Sequence, residues 1–284
     1  MSIRHRTVEI DGVDVFYREA GDPSAPALVL LHGFPTSSIA YQGLIRELAG
    51  EFHLIAPDYP GFGHSAAPED FTYTFDRLAD VVDALLDRIG VTRYAIYVHD
   101  YGAPVGFRLA LRHPERITGI VSQNGNAYEE GLTPFWDPIR KYWADPSKEH
   151  GDALRGLLTR QATHWQYTHG VPDAELVDPS LELHDQTLLD RPGNQEIQLA
   201  LFLDYGTNPP QYPAWQEYLR THRPPLLALW GRGDEIFGPD GARAYARDLP
   251  DARIQLLDAG HFPLTTRLEQ SAALIRDFLR GLSD

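Results

Sequence analysis

An aspartate, Asp100, follows directly on the strand-forming run Tyr94-Ala95-Ile96-Tyr97-Val98-His99 and leads at once into a helical pattern, Gly102-Ala103-Pro104-Val105-Gly106-Phe107-Arg108-Leu109. A strand, a sharp turn and a helix place the apex side chain in reach of a ligand, beside a helix N-terminus. A serine at such an apex would attack a carbonyl. A carboxylate there can instead attack a saturated carbon in line and become an alkyl ester. Water must then cleave that ester at the aspartate's own carbonyl. That step needs a histidine to activate the water and N–H donors to hold the oxyanion.

Candidates for each part occur in a workable order. Pro225-Leu226-Leu227-Ala228-Leu229-Trp230 reads as a buried strand, and the turn after it, Gly231-Arg232-Gly233-Asp234, ends in an acid. Arg253-Ile254-Gln255-Leu256-Leu257 reads as a further strand, followed by Asp258-Ala259-Gly260-His261-Phe262. Both side chains thus fall just past strand C-termini, the edge at which open α/β sheets bind ligands. Asp234 would hold His261 in the useful tautomer. Glu235 and Asp258 are alternative acids, and Asp234 could instead cap a helix. After the apolar run Ala27–Leu31, His32-Gly33-Phe34-Pro35 offers the backbone N–H of Phe34 as one oxyanion donor; the N–H of Tyr101 would be the second.

These motifs, with Ala56-Pro57-Asp58-Tyr59-Pro60-Gly61-Phe62-Gly63-His64-Ser65, match at family spacing over nearly the whole chain. The chain resembles an α/β-hydrolase of the epoxide hydrolase and haloalkane dehalogenase branch. The resemblance implies a mostly parallel central sheet flanked by helices, a helical cap inserted after the sixth strand, and a triad of Asp100, Asp234 and His261. It implies no cofactor and no metal.

The resemblance also frames the substrate. Epoxide hydrolases of this branch protonate the opening ring oxygen with cap tyrosines. Leu203-Asp204-Tyr205-Gly206-Thr207-Asn208 is similar to the segment that carries one of them, which makes Tyr205 the candidate acid. The place of the partner tyrosine falls on Ile139. Tyr142 or Tyr128 could serve from a shifted register, and Tyr128, Tyr142 and Trp143 are the expected pocket residues. Dehalogenases of the branch hold the departing halide with Asn or Trp after the His-Gly and with Trp after the nucleophile. Phe34 and Tyr101 stand at those places, although Trp136, Trp143 or Trp165 could substitute. Val98, two before the aspartate, is more like dehalogenase elbows. The expected activity is therefore epoxide opening, with carbon–halogen hydrolysis as the alternative. A non-catalytic binding protein on the same fold is the second alternative.

The elements that must position these groups are legible along the chain. An antiparallel hairpin over about Arg4 to Ala20 turns at Asp11-Gly12. Strands and helices then alternate from Ala27 to Gln123, as parallel βαβ units require. The helix near Phe75–Ile89 gathers Leu78, Val81, Val82, Leu85, Leu86 and Ile89 on one face. The rhythm breaks after Ile117–Gln123 and returns at Pro224, ending in a helix near Arg267–Leu282. The expected division is a core of residues 1–123 and 214–284 with a cap over 124–213.

Composition is consistent with this reading. A chain of 284 residues can bury a large core. It has no cysteine, hence no disulfide and no thiol nucleophile. No H-E-x-x-H pair, dinucleotide fingerprint or phosphate cradle is present, since Gly61-Phe62-Gly63 lacks a following Lys-Ser/Thr. A net charge of −15 argues against nucleic acid or an anionic membrane as partner. With no long apolar run and no signal-like start, a cytoplasmic protein is expected, a monomer or homodimer acting on a small hydrophobic electrophile and water.

Overall fold

The computed structural model describes residues 2–282. Eight strands form one sheet: β1 (Arg4–Ile10), β2 (Val13–Ala20), β3 (Ala27–Leu31), β4 (His53–Pro57), β5 (Tyr94–His99), β6 (Ile117–Gln123), β7 (Leu226–Gly231) and β8 (Arg253–Leu257). Their order is β1-β2-β4-β3-β5-β6-β7-β8. β1 and β2 form the antiparallel hairpin and β2 runs antiparallel to β4; every other pairing is parallel.

The burial of each strand follows from its place. β4, β5 and β7 are buried at every residue, as continuous apolar runs between two helical layers must be. β1 and β8 close the sheet and carry exposed residues. Along the inner strands, alternate side chains enter opposite cores. Leu28, Leu30, Ala95, Tyr97, Leu227 and Leu229 pack with Ile45, Leu48, Ile275 and Phe278, from the helices Gln42–Leu48 and Leu268–Arg280. Val29, Leu31, Ile96, Val98, Ala228 and Trp230 pack with Leu78, Leu85, Val105, Phe107 and Tyr245, from Phe75–Arg88, Gly102–Arg112 and Pro239–Asp248.

The chain leaves β3 toward β4 on one side, while β5 pairs with β3 on the other. The crevice past the C-termini of β3 and β5 is therefore a topological switch point, the usual ligand site of such sheets. His32-Gly33-Phe34 and Asp100 are the residues that follow these two strands.

Helices fill the segment between β6 and β7: Asp137–Ala144, Lys148–Ala153, Arg160–Thr168, Pro179–Leu189, Asn194–Asp204 and Tyr212–His222. The boundary expected at 213/214 falls inside the last of these. Its Trp215 stacks on Phe107 of the sheet-covering helix, with centroids 5.1 Å apart and planes 9° apart, so the buried face of this helix packs on the core. Among the described residues, no helix is long and apolar enough to cross a membrane.

Candidate active site

The turn after β5 is strained and tightly enclosed. Asp100 has φ +51°, a left-handed conformation that costs a non-glycine residue roughly 1–2 kcal/mol, and Tyr101 returns to helical angles ahead of Gly102–Arg112. Glycine at 33 is a steric requirement. A Cβ there would lie 2.3 Å from the Asp100 side chain.

That close approach brings two N–H groups onto one carboxylate oxygen. Phe34 N–H donates to Asp100 Oδ1 at 2.7 Å and Tyr101 N–H donates to the same atom at 2.6 Å. Both expected oxyanion donors are thus engaged with Asp100. The other oxygen, Oδ2, lies 3.8 Å from His261 Nε2. Asp100 is only 4 % exposed. Burial pushes its pKa up to about 6, against the opposing pull of His261 and the two N–H donors.

His261 is oriented from its far side. Its Nδ1 lies 2.9 Å from Asp234 Oδ2. An ionised carboxylate only accepts, so Nδ1 carries the hydrogen and Nε2 holds the free lone pair of the neutral ring. Burial works against a charged His261, but the charge and hydrogen bond of Asp234, with the charge of Asp100, raise its pKa above the ordinary value. The alternative acids are elsewhere: Glu235 pairs with His169 at 3.0 Å and Asp258 with Arg232 at 3.1 Å.

Asp234 is in turn held by three groups. Ile236 N–H donates to its Oδ1 at 2.8 Å, Asn124 Nδ2 donates to its Oδ2 at 2.7 Å, and the Asn124 Oδ1 accepts from Gly231 N–H at 3.1 Å. Asn124, at φ +46° just past β6, is a supporting residue that sequence reasoning missed. Asparagine is among the few side chains that tolerate this backbone region, and that is the one local signal. Two histidines also buttress the site. His99 Nε2 lies 3.0 Å from the His261 carbonyl, and its pKa falls well below the ordinary value through burial and the nearby His261. His99 therefore stays neutral beside a histidine that must charge. Burial lowers His32 to about 4, and its Nε2 accepts from Tyr59 N–H while its Nδ1 faces the Gly33 carbonyl.

A cavity of about 20 Å³ opens beside Asp100, enough for one water. Phe34 and Tyr101 line it from the sheet side; Phe135, Trp136, Ile139, Leu157, Gln166 and Phe202 close it from the helical segment. The residue at the expected partner-tyrosine place, Ile139, is therefore at the cavity, as an apolar wall.

Other expected pocket residues lie outside this lining. Tyr128 is buried against Tyr245 and donates its hydroxyl to Asp248 at 2.9 Å. Tyr142 packs against Gly151, in the helix Lys148–Ala153. Trp143 stacks behind Tyr205 and gives its N–H to the Phe202 carbonyl at 2.8 Å. Tyr205 is fully buried, with its ring 4.5 Å from Trp136 and 5.8 Å from Tyr101. The Tyr205 hydroxyl makes no well-formed hydrogen bond, and Tyr212 is its polar neighbour. Burial raises its pKa well above the ordinary value, so it holds its proton. Trp136 spends its N–H on the Ile236 carbonyl at 2.8 Å. Among the described residues, no cluster of three His, Asp or Glu could hold a metal ion.

Comparison with known proteins identifies the family. A family model described as alpha/beta hydrolase fold matches residues 26–268. An uncharacterized hydrolase of Saccharomyces cerevisiae, YNR064C, is 47% identical over 268 residues, covering 93% of this chain and 92% of the relative. Two proteins of Mycobacterium tuberculosis also match. Haloalkane dehalogenase 2 is 37% identical over 273 residues, covering 89% and 87% of the two chains. Epoxide hydrolase A is 30% identical over 221 residues, covering 74% and 65%.

Proposed function

The chain belongs to the alpha/beta hydrolase family, and from that premise we propose that it hydrolyses a small apolar electrophile, an epoxide, through an alkyl ester of Asp100. One observation carries this reading. Both backbone donors sit on Asp100 Oδ1, which leaves Oδ2 unengaged in front of the unpartnered Nε2 of His261. A carboxylate arranged this way has one oxygen free to attack and the other already placed where an oxyanion will form.

In the first step Oδ2 attacks a ring carbon. The ring C–O bond breaks with its electron pair on oxygen, which takes the proton of the Tyr205 hydroxyl. In the second step His261 Nε2 takes a proton from water as the hydroxide adds to Asp100 Cγ. The charge that develops on Oδ1 faces the N–H groups of Phe34 and Tyr101 without rearrangement. Collapse of the intermediate expels the product oxygen, which takes the proton from His261. The carboxylic acid left on Asp100 ionises, and the Tyr205 oxygen regains a proton. The sum is one epoxide and one water giving one diol.

Hydrolysis of a carbon–halogen bond by the same two steps is the second reading, and the relative named haloalkane dehalogenase 2 favours it. The side chains weigh the other way. Phe34 has no side-chain donor, and the indole N–H groups of Trp136 and Trp143 are committed to backbone carbonyls. A protein that only binds its ligand would gain nothing from a histidine lone pair kept free beside Asp100. The test is the intact mass of a His261→Gln variant after incubation with a panel of epoxides and 1-haloalkanes. A stoichiometric gain equal to the whole epoxide supports epoxide opening. A gain equal to the alkyl group, with halide released, supports the second reading. No gain with any member contradicts both.

A further inference from the structure

We propose that Gln166 is a catalytic residue of this site: its side-chain amide donates to the heteroatom that leaves the carbon attacked by Asp100. The inference rests on the Asp100-ester reading and adds to it the group that receives the departing electron pair.

Gln166 lies on the helix Arg160–Thr168 and is only 4 % exposed, so its amide is largely withdrawn from bulk water. A side-chain amide so placed calls for a polar partner. Its surroundings supply one. Gln166 lines the same cavity as Asp100, and at about 20 Å³ that space is small enough for one bound group to touch both.

The other polar groups of the lining are spent or turned away. Trp136 gives its N–H to Ile236. The Tyr101 hydroxyl is unpartnered but enclosed by protein, packed among Phe75, Phe62 and Tyr205. Phe34, Phe135, Ile139, Leu157, Phe202 and Ile236 offer no side-chain donor. In a wall this apolar, an amide N–H is worth more to a developing negative charge than it would be in water.

The chemistry assigned to Gln166 is donation without proton transfer. As Oδ2 bonds to carbon, the carbon–heteroatom bond breaks and its electron pair stays on the heteroatom. A halide held by the amide N–H is then a finished product. An alkoxide held there keeps its charge against the amide N–H until the proton that the first step assigns to Tyr205 reaches it. Gln166 acts only in the first step; the oxyanion of the second step forms on Oδ1 and has its own donors.

This separation gives the test. Single-turnover alkylation and ester hydrolysis are measured separately for the wild type, Gln166→Met and Gln166→His, with styrene oxide and 1-bromobutane as probes. Gln166→Met keeps length and apolar volume but removes the donor. It should slow alkylation by about 10²-fold, the usual loss for one such donor, and leave hydrolysis of the ester within about twofold. Gln166→His, which restores an N–H, should recover part of the loss. A Gln166→Met enzyme that alkylates at the wild-type rate, or that loses both steps equally, overturns the assignment. In a His261→Gln background the two claims separate. An adduct that forms as fast with Gln166→Met as without it removes Gln166 alone. No adduct from either probe, with Gln166 intact, removes the Asp100 ester and this inference with it.

Discussion

His261 Nε2 stops 3.8 Å short of Asp100 Oδ2 and has no hydrogen-bond partner among the described residues. That separation is too long for a hydrogen bond of ordinary strength. The histidine therefore does not tie up the oxygen that must attack, and it remains free to take a proton from water once Asp100 carries an ester. His261→Gln should accordingly spare ester formation and slow ester hydrolysis by about 10²–10⁴-fold, the usual share of a general base. Rapid-quench measurement should find one equivalent of substrate consumed per enzyme and then a stall. Multiple fast turnovers would remove His261 from the role.

Asp100 is held at the expense of the fold, and its replacement should reveal it. Its folded pKa is about 6, above the ordinary 3.8. The neutral form is thus favoured by folding, and that advantage is fully present below about pH 3.8 and lost as pH rises through 6. At pH 8 the ionised group opposes folding by on the order of 2–3 kcal/mol. Asp100→Asn keeps the acceptor for Phe34 and Tyr101 without the charge. It should abolish turnover and raise stability in denaturant melts at pH 8, with the gain shrinking toward pH 4. A variant less stable than wild type at pH 8 would contradict the burial argument.

The same charges make the two half-reactions differ in pH dependence. Alkylation needs ionised Asp100 and should fall on the acid side with an apparent pKa of about 6. Burial opposes the charged His261, while Asp234 and the charge of Asp100 raise its pKa. Esterification removes the Asp100 charge. His261 should therefore titrate at lower pH in the alkyl-enzyme than in the free enzyme, which favours the neutral base when it is needed. Histidine NMR of the free enzyme, set against the pH profile of single-turnover ester hydrolysis, measures the difference. A shift of opposite sign would break the linkage.

Asn124 should matter without touching substrate. Asn124→Ala removes a donor from Asp234 and leaves Gly231 N–H unpaired. Expected are a loss of about 1–3 kcal/mol in stability and a slower hydrolysis step, with alkylation changed much less. Melting curves and separate single-turnover rates distinguish this from a merely structural loss, which would lower both steps together.

Much of this site was legible because parallel strands announce themselves. Their apolar runs end abruptly in glycine-containing turns, and Phe34, Asp100, Asp234 and His261 each stand in or just after one. Asn124 follows a strand too, but nothing in its neighbours marks it as a partner of a residue 110 positions away. The helical segment was harder to read because aromatic residues there serve walls and substrate alike. Tyr128 looked like a pocket residue; the tight bend at Asn126, whose amide donates to the Tyr128 carbonyl, sends its ring to Tyr245 instead. Gln166 gave no signal, since periodicity finds apolar faces and not the polar residue set among them.

The leaving group can be decided at Tyr205 and Tyr101. If the substrate is an epoxide, Tyr205→Phe should slow ring opening by about 10²-fold and leave ester hydrolysis unchanged. If it is a halide, Tyr101→Trp should raise alkylation by adding an indole N–H. Assays of diol from styrene oxide and of halide from 1-haloalkanes separate the two. Tyr205→Phe indistinguishable from wild type on epoxides would remove this residue from the site while keeping the reaction class.

The covalent route itself is tested most directly by a single turnover in ¹⁸O-water, with excess enzyme, followed by peptide mass mapping. Attack of water at Cγ puts the label into the Asp100 carboxylate and leaves the first product unlabelled at the new hydroxyl. The expected result is one ¹⁸O in the peptide that contains Asp100. Label in the product alone, with Asp100 unlabelled, would mean that water attacks the substrate directly and that Asp100 is not the nucleophile.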